Sequence, residues 1–251
     1  MPIDFTLAAF DAFCQRAAPV FTLTDYLSQP TPPAPPFVIL RVDVDYRADH
    51  AVNLARIATH NHVRGSFYFR CHQGNFALDA IHQIAALGHE IGYHFEALDL
   101  CRGDFGAASD LFLQHVERLR DAGVEVHTAA AHGGPPVAAS YHANLDLLRQ
   151  KPDLLTRANL LGETTLSLDF DRVIYVSDAR WRWRHYEHYR PGAQGQPTSL
   201  HATQEAFPRW SAGLYINFHP QHWFAHAAPM VYFRLRQRIG RRARLLLHRH
   251  P

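Results

Sequence analysis

Asp43, Asp45, His94, His132, Asp178 and His219 are the residues of this chain best placed to do chemistry. Carboxylates and imidazoles hold divalent metals and move protons near neutral pH. Each of these six stands at or just beyond the end of a short apolar run. Asp43 and Asp45 close Phe37–Val44. His94 follows Glu90–Tyr93, and His132 follows Val124–Ala131. Asp178 follows Val173–Ser177, and His219 follows Leu214–Phe218. One such residue at the end of a strand is ordinary. Five strands that each deliver one to the same rim are much less so. Parallel α/β folds gather their active sites at the C-terminal ends of the strands.

The elements that must position these residues alternate. The run Phe37–Val44 predicts a strand. Ala51, Leu54, Ala55 and Ala58 then mark a helix face. Ser66–Phe69 predicts a second strand, and Ile81, Ile84 and Ala85 a helix that stops at Gly88. Glu90–Tyr93 is the third strand, and Phe112, Val116 and Leu119 give a helix ending at Gly123. Val124–Ala131 is a strand and Tyr141–Arg149 a helix. A weaker strand is expected near Ala158–Leu161, with clearer ones at Val173–Ser177 and Leu214–Phe218. About seven strands with helical crossovers predict a parallel α/β sheet, open or closed.

Strand parity sharpens the first of these elements. Side chains alternate faces along a strand. Val38, Leu40, Val42 and Val44 share an apolar face suited to helix cover, while Ile39, Arg41, Asp43 and Asp45 share the other. Arg41 then lies about 7 Å below Asp43, where it would hold the carboxylate ionised. Strand length also removes a candidate. His89 precedes the strand that His94 ends, which separates the two by about 16 Å, so His89 is assigned a structural role.

The chain has 251 residues, 47% of them hydrophobic, enough for one α/β domain with a sizeable core. The organisation expected is an N-terminal helical segment (1–28), a proline-rich linker (29–36), the main domain (37–228) and a basic C-terminal helix (229–251). Three cysteines without a CxxC pair argue against a disulfide framework and fit a reducing compartment. The start, Met1-Pro2-Ile3-Asp4, lacks a basic and apolar leader, and no apolar run is long enough for a membrane helix. A soluble cytoplasmic protein is expected. Net charge is +2, which implies no strong polyanion partner and no nucleic acid, yet Arg234 to Arg249 contains seven arginines. That stretch reads as a helix solvated on the domain surface, or as an attachment to an anionic membrane at the inner face of the cytoplasmic membrane.

The run Leu40-Arg41-Val42-Asp43-Val44-Asp45, followed by Gly88-His89-Glu90-Ile91-Gly92-Tyr93-His94, resembles the polysaccharide deacetylase superfamily (NodB homology, carbohydrate esterase family 4). Ala131-His132-Gly133-Gly134-Pro135, Asp178-Ala179-Arg180-Trp181-Arg182-Trp183 and His219-Pro220-Gln221-His222-Trp223 are similar to its WbmS-like subgroup, from bacterial surface-polysaccharide loci. The resemblance spans about Val38 to Trp223. It implies a distorted (β/α)7 barrel with one divalent metal, most often zinc, with iron, manganese or cobalt as alternatives. It implies removal of an acetyl or similar small acyl group from an amino sugar of a surface polysaccharide or its lipid-linked precursor. Asp43 would be the general base, Asp45 and His94 metal ligands, and His219 the general acid.

Three positions depart from the family pattern. The further histidine expected four residues after His94 is Leu98, the arginine-containing third motif is replaced by the segment around His132, and the histidine before the first aspartate is Val42. His132 is chosen as the replacement ligand, with Glu96 in reserve. Asp178 would orient His219. Glu96, Arg180, Trp181, Trp183 and Trp223 are expected around the substrate, the tryptophans as sugar-stacking walls. Two alternatives stand beside the deacetylase: a non-catalytic sugar- or nucleotide-sugar-binding protein on the same scaffold, and a deformylase-type amidase.

Overall fold

The computed structural model of the protein describes residues 3–17, 19–72, 76–133 and 142–236. In chain order its elements are α1 (Leu7–Cys14), β1 (Val20–Phe21), α2 (Leu23–Leu27), β2 (Val38–Val44), α3 (Ala48–His60), β3 (Ser66–Phe69), α4 (Leu78–Ala86), β4 (Glu90–Phe95), α5 (Ala97–Leu100) and α6 (Phe105–Asp121). They continue with β5 (Val126–Ala131), α7 (Leu145–Gln150), α8 (Leu154–Arg157), β6 (Gly162–Glu163), β7 (Val173–Ser177), β8 (Arg184–Tyr186), β9 (Gln196–Pro197), α9 (Leu200–Ala206) and β10 (Gly213–Phe218). Residues 227–236 form a further helix. The rest of the basic tail, and Gly134, Pro135 and Tyr141, lie outside the described residues.

One sheet organises the molecule, in the order β6-β5-β4-β3-β2-β10-β7-β8-β9. From β6 to β7 every ladder is parallel, as the strand–helix alternation predicts. Among the described residues no ladder joins β6 to β7. The sequence reading had no counterpart for the antiparallel strands β8 and β9. The N-terminal segment, expected to be one helix and a short extended piece, supplies α1 and β1 and adds α2, which with β1 turns the segment back under the sheet. There β1 pairs with Val38 and Ile39, while β3 takes the upper half of the same edge of β2. The weak strand expected at Ala158–Leu161 falls at Gly162–Glu163 instead. Ala158 still caps α8, and Asn159 is in the left-handed region.

Both faces of β2 are buried, as expected of a central parallel strand. Val38, Leu40, Val42 and Val44 enter the large core between sheet and helices, where Phe10, Leu54, Ile81 and Phe112 also sit. Ile39 enters a second, smaller cluster with Leu23, Tyr26, Phe37, Tyr68, Ala130 and Tyr215. That cluster lies on the inner face. Its floor comes from α2, which is held in a capping box by Thr22 and Asp25. Gly92 faces the same interior. A Cβ there would stand 2.3 Å from the Tyr68 ring, so glycine is what admits this tyrosine beneath the rim.

His89 sits at the opposite end of β4 from His94. Its Nδ1 accepts from the Gly65 amide at 3.1 Å and its Nε2 faces the Ala55 carbonyl at 3.0 Å. It ties α3 to the N-terminal side of the sheet, a structural task.

Candidate functional site

Asp43 is the most constrained group of the rim. Arg41 donates two hydrogen bonds to it, Nε to Oδ1 at 2.6 Å and Nη2 to Oδ2 at 2.8 Å. Asn217, paired with Arg41 across β2 and β10, donates to Oδ2 at 2.9 Å. Arg41 is itself anchored by Thr164 at 2.9 Å and the Tyr215 hydroxyl at 2.8 Å. Burial alone would raise the Asp43 pKa. The Arg41 guanidinium, with His94 and His219, outweighs it and holds the carboxyl below its usual range.

Asp45, His94 and His132 form a compact donor set whose ligand atoms all lie within 4.8 Å of one another. Asp45 Oδ1 is 3.3 Å from His94 Nε2 and 3.5 Å from His132 Nε2. Ligands about 2.0–2.2 Å from a tetrahedral zinc stand about 3.3–3.6 Å apart, so these residues fit such an ion. The surroundings also fit. His94 Nδ1 donates to the Ala130 carbonyl at 3.0 Å, which leaves Nε2 to present its lone pair. Gln221 donates to the other Asp45 oxygen at 2.8 Å. Burial would raise the Asp45 pKa, but with no metal bound the hydrogen bond from His94 and the charges of His219, His94 and His132 hold it far below the normal value. Burial and the neighbouring His94 depress the His132 pKa, which favours the neutral, ligating form.

His219 stands on the other side of Asp43. Its Nε2 is 3.9 Å from Asp43 Oδ2, the same distance as His94 Nε2. Its Nδ1 and the Asp178 Oδ1 are 2.6 Å apart. Asp178 is fully buried and also accepts from the His219 amide at 3.0 Å and from Trp223 Nε1 at 2.8 Å. Burial disfavours the imidazolium, but Asp178, through charge and hydrogen bond, together with Asp45 and Asp43, pushes the His219 pKa up to about 9. A protonated imidazole on Nε2 is therefore available at neutral pH.

A cavity of about 330 Å³ joins these groups. Arg41, Asp43, Asp45, His94, His132 and His219 line it, together with Tyr175, Tyr189, Tyr215 and Asn217. The expected substrate contacts are arranged differently. Trp181, Trp183 and Trp223 do not line this cavity; they are buried against Phe5, Phe10 and Phe218. Trp223 nevertheless reaches the site indirectly, through Asp178. Arg180 is exposed on the left-handed turn after Asp178 and does not line the cavity either. Glu96 is buried away from it, in ion pairs with Arg70 and His72. Its Oε2 lies 4.0 Å from His132 Nδ1, a buried atom with no hydrogen-bond partner among the described residues. Leu98 is buried in the large core.

Several contributors escaped the sequence reading. Asn217 and Tyr215 lie on β10 at the same parity as Arg41 on its neighbour, so extending the parity argument from β2 to Leu214–Phe218 could have found them. Gln221 lies in the run His219–Trp223, but nothing local ties it to Asp45.

No family model matches this chain, and no curated protein does. Among solved structures, the chain is similar to three crystal structures of BA3943, described as a CE4 family pseudoenzyme. The wild-type protein, from Bacillus anthracis, is 12% identical with a TM-score of 0.46, over 80% of this chain and 59% of that one. A mutant is 13% identical with a TM-score of 0.46, and a mutant described as having restored enzymatic activity is 12% identical with a TM-score of 0.45. Both matches cover 73% of this chain and 56% of theirs. This chain thus spans a little over half the length of the structures it matches.

Proposed function

We propose that this protein is a metal-dependent hydrolase of the polysaccharide deacetylase type, which removes an acetyl or similar small acyl group from an amino sugar. The observation that carries the reading is the position of Asp43. Its Oδ2 is 3.9 Å from His94 Nε2 on one side and 3.9 Å from His219 Nε2 on the other. A carboxylate, a compact ligand triad and a charged imidazole thus converge on one cavity. The strand order β6-β5-β4-β3-β2-β10-β7 is that of a seven-stranded barrel opened between β6 and β7. It supports a distorted (β/α)7 barrel as the scaffold.

The geometry supports the following division of labour. Asp45, His94 and His132 would hold the metal. That ion, most simply zinc, would polarise the acyl carbonyl and acidify an attacking water. Asp43, ionised by Arg41 and Asn217, accepts a proton from water on its side of the cavity. A carboxylate with a depressed pKa is a weak base, so Asp43 would serve toward a water that a bound metal had made acidic. His219 carries a proton on Nε2 and gives it to the departing nitrogen. Asp178 keeps that imidazole charged and oriented. His132 would supply the ligand that Leu98 cannot.

The test is metal content by elemental analysis together with acetate release from N-acetylated sugars. The wild-type chain is expected to hold about one metal and to release acetate. Asp43→Asn should keep the metal and lose turnover, and His94→Ala should lose both. Acetate release unchanged in both variants overturns the assignment. Metal-free protein that binds a sugar without turnover favours a binding protein on this scaffold, and formate release in place of acetate favours a deformylase.

A further inference from the structure

We propose that helix 227–236, with the arginine-rich sequence that follows it, docks this protein on an anionic lipid surface. One face of the helix is fixed to the body of the molecule. Met230 is buried there. Phe233 packs on Trp181 and Phe224, with ring centroids 6.1 and 5.5 Å apart. Arg234 donates to the Trp181 carbonyl at 3.4 Å. The opposite face leaves Val231, Tyr232 and Leu235 49%, 67% and 51% exposed. Val231 and Leu235 are one helical turn apart with Tyr232 beside them, so three large apolar side chains share one solvent-facing stripe.

Charge completes the pattern. Arg236 is exposed on the same helix. The sequence continues with Arg238, Arg241, Arg242, Arg244 and Arg249, and no aspartate or glutamate follows Glu205. Residues 234–251 carry a formal +7 in a chain of net +2, so the preceding residues carry −5. A helix that meets only water presents polar residues outward. An apolar stripe accompanied by charge of a single, positive sign is the pattern of a helix lying in a bilayer interface. RNA would engage the arginines but give Val231, Tyr232 and Leu235 nothing to bury in. A second copy of the chain would cover the stripe but bring like charges together. Among the described residues no helix is long and apolar enough to cross a membrane.

Trp181 and Phe224 lie on the segments that follow β7 and β10, the same segments that carry Asp178 and His219. The docking helix thus rests on the two segments that carry these residues. The docking itself is independent of the reaction performed at the site.

The experiment is sedimentation of the full chain with phosphatidylcholine vesicles, with and without phosphatidylglycerol. Binding is expected to the mixed vesicles only, and to be lost between about 0.1 and 0.5 M salt as screening tightens. Arg241→Ser and Arg242→Ser should each weaken it by about fivefold. The triple variant Val231→Ser, Tyr232→Ser, Leu235→Ser should weaken it at least about tenfold. Its melting temperature should stay at the parent value, because those side chains are exposed. No binding to mixed vesicles overturns the proposal, as does equal binding to phosphatidylcholine alone. Undiminished binding by the triple variant, with equal capture of a single-stranded RNA, would make the surface a general polyanion site and overturn it too.

Discussion

At the scale of single residues, the site is a set of opposed charges whose protonation is fixed by neighbours. Arg41 and Asn217 keep Asp43 ionised; replacing it with asparagine keeps the shape and removes the proposed base. A loss of about 10²–10⁴ in kcat with metal content intact is expected, measured by acetate release. His219 gives a pH signature. Its folded pKa, about 9, lies above the ordinary 6.5, so its contribution to stability is complete below 6.5 and fades as pH rises through about 9. As a proton donor it also fails on that side, so activity should fall with rising pH. Asp178→Asn removes the main supporting charge. Proton NMR of the metal-free protein should then show the His219 titration move to markedly lower pH, and an unmoved midpoint would exclude Asp178 as its cause. The ligands have their own supports. Gln221 holds Asp45, and Glu96 stands 4.0 Å from Nδ1 of His132. Gln221→Leu and Glu96→Gln should each weaken metal affinity by about 10–100-fold, read by competition with a chelating dye. Wild-type affinity in both would leave these residues without that role.

At the scale of elements, β2 and β4 do the positioning. The alternation of Val38, Leu40, Val42 and Val44 with Ile39, Arg41 and Asp43 was legible because strand parity is local, and the two cores divide these residues accordingly. Along β4 the inward positions are Glu90, Gly92 and His94. Glu90 accepts from Ser66 at 2.6 Å and Thr24 at 2.8 Å, which locks α2 beneath the sheet. Gly92 makes room for Tyr68, whose hydroxyl bonds Thr128 at 2.9 Å and so cannot swing aside freely. Gly92→Ala should therefore cost about 1–3 kcal/mol, visible as a lower denaturation midpoint. An unchanged midpoint would mean that the floor under the rim is loosely packed.

At the scale of the molecule, the proposed ligand triad joins three segments: Asp45 follows β2, His94 lies in β4 and His132 follows β5. A metal that binds only the assembled set stabilises the fold by mass action, about 2.7 kcal/mol at a hundredfold excess over Kd. For a chain of this size that is a rise of about 5–10 °C in melting temperature. Calorimetry with and without added zinc should show it, and Asp45→Asn should abolish most of it. An equal rise in that variant would place the metal elsewhere.

The sequence by itself determined the parallel α/β class, the inner and outer faces of β2, and the delivery of carboxylates and imidazoles to strand ends. These follow from periodicities of two and 3.6 residues, which act over a few positions. Only the tertiary structure decided which groups meet. Asp43 and Asn217, separated by 174 positions, are joined because β2 and β10 pair. His132 faces Asp45, while Glu96, two residues past His94, turns toward Arg70 once the strand ends at Phe95. The tryptophans expected at the cavity are buried because Phe5 and Phe10, from the far end of the chain, pack onto them. The antiparallel β8 and β9 and the plug α2 are short, and their stability comes from what they pair with and pack on, which no window of sequence contains. The six residues at the strand ends were therefore legible one by one. Their distances, partners and protonation belong to the closed arrangement of strands distant in the chain.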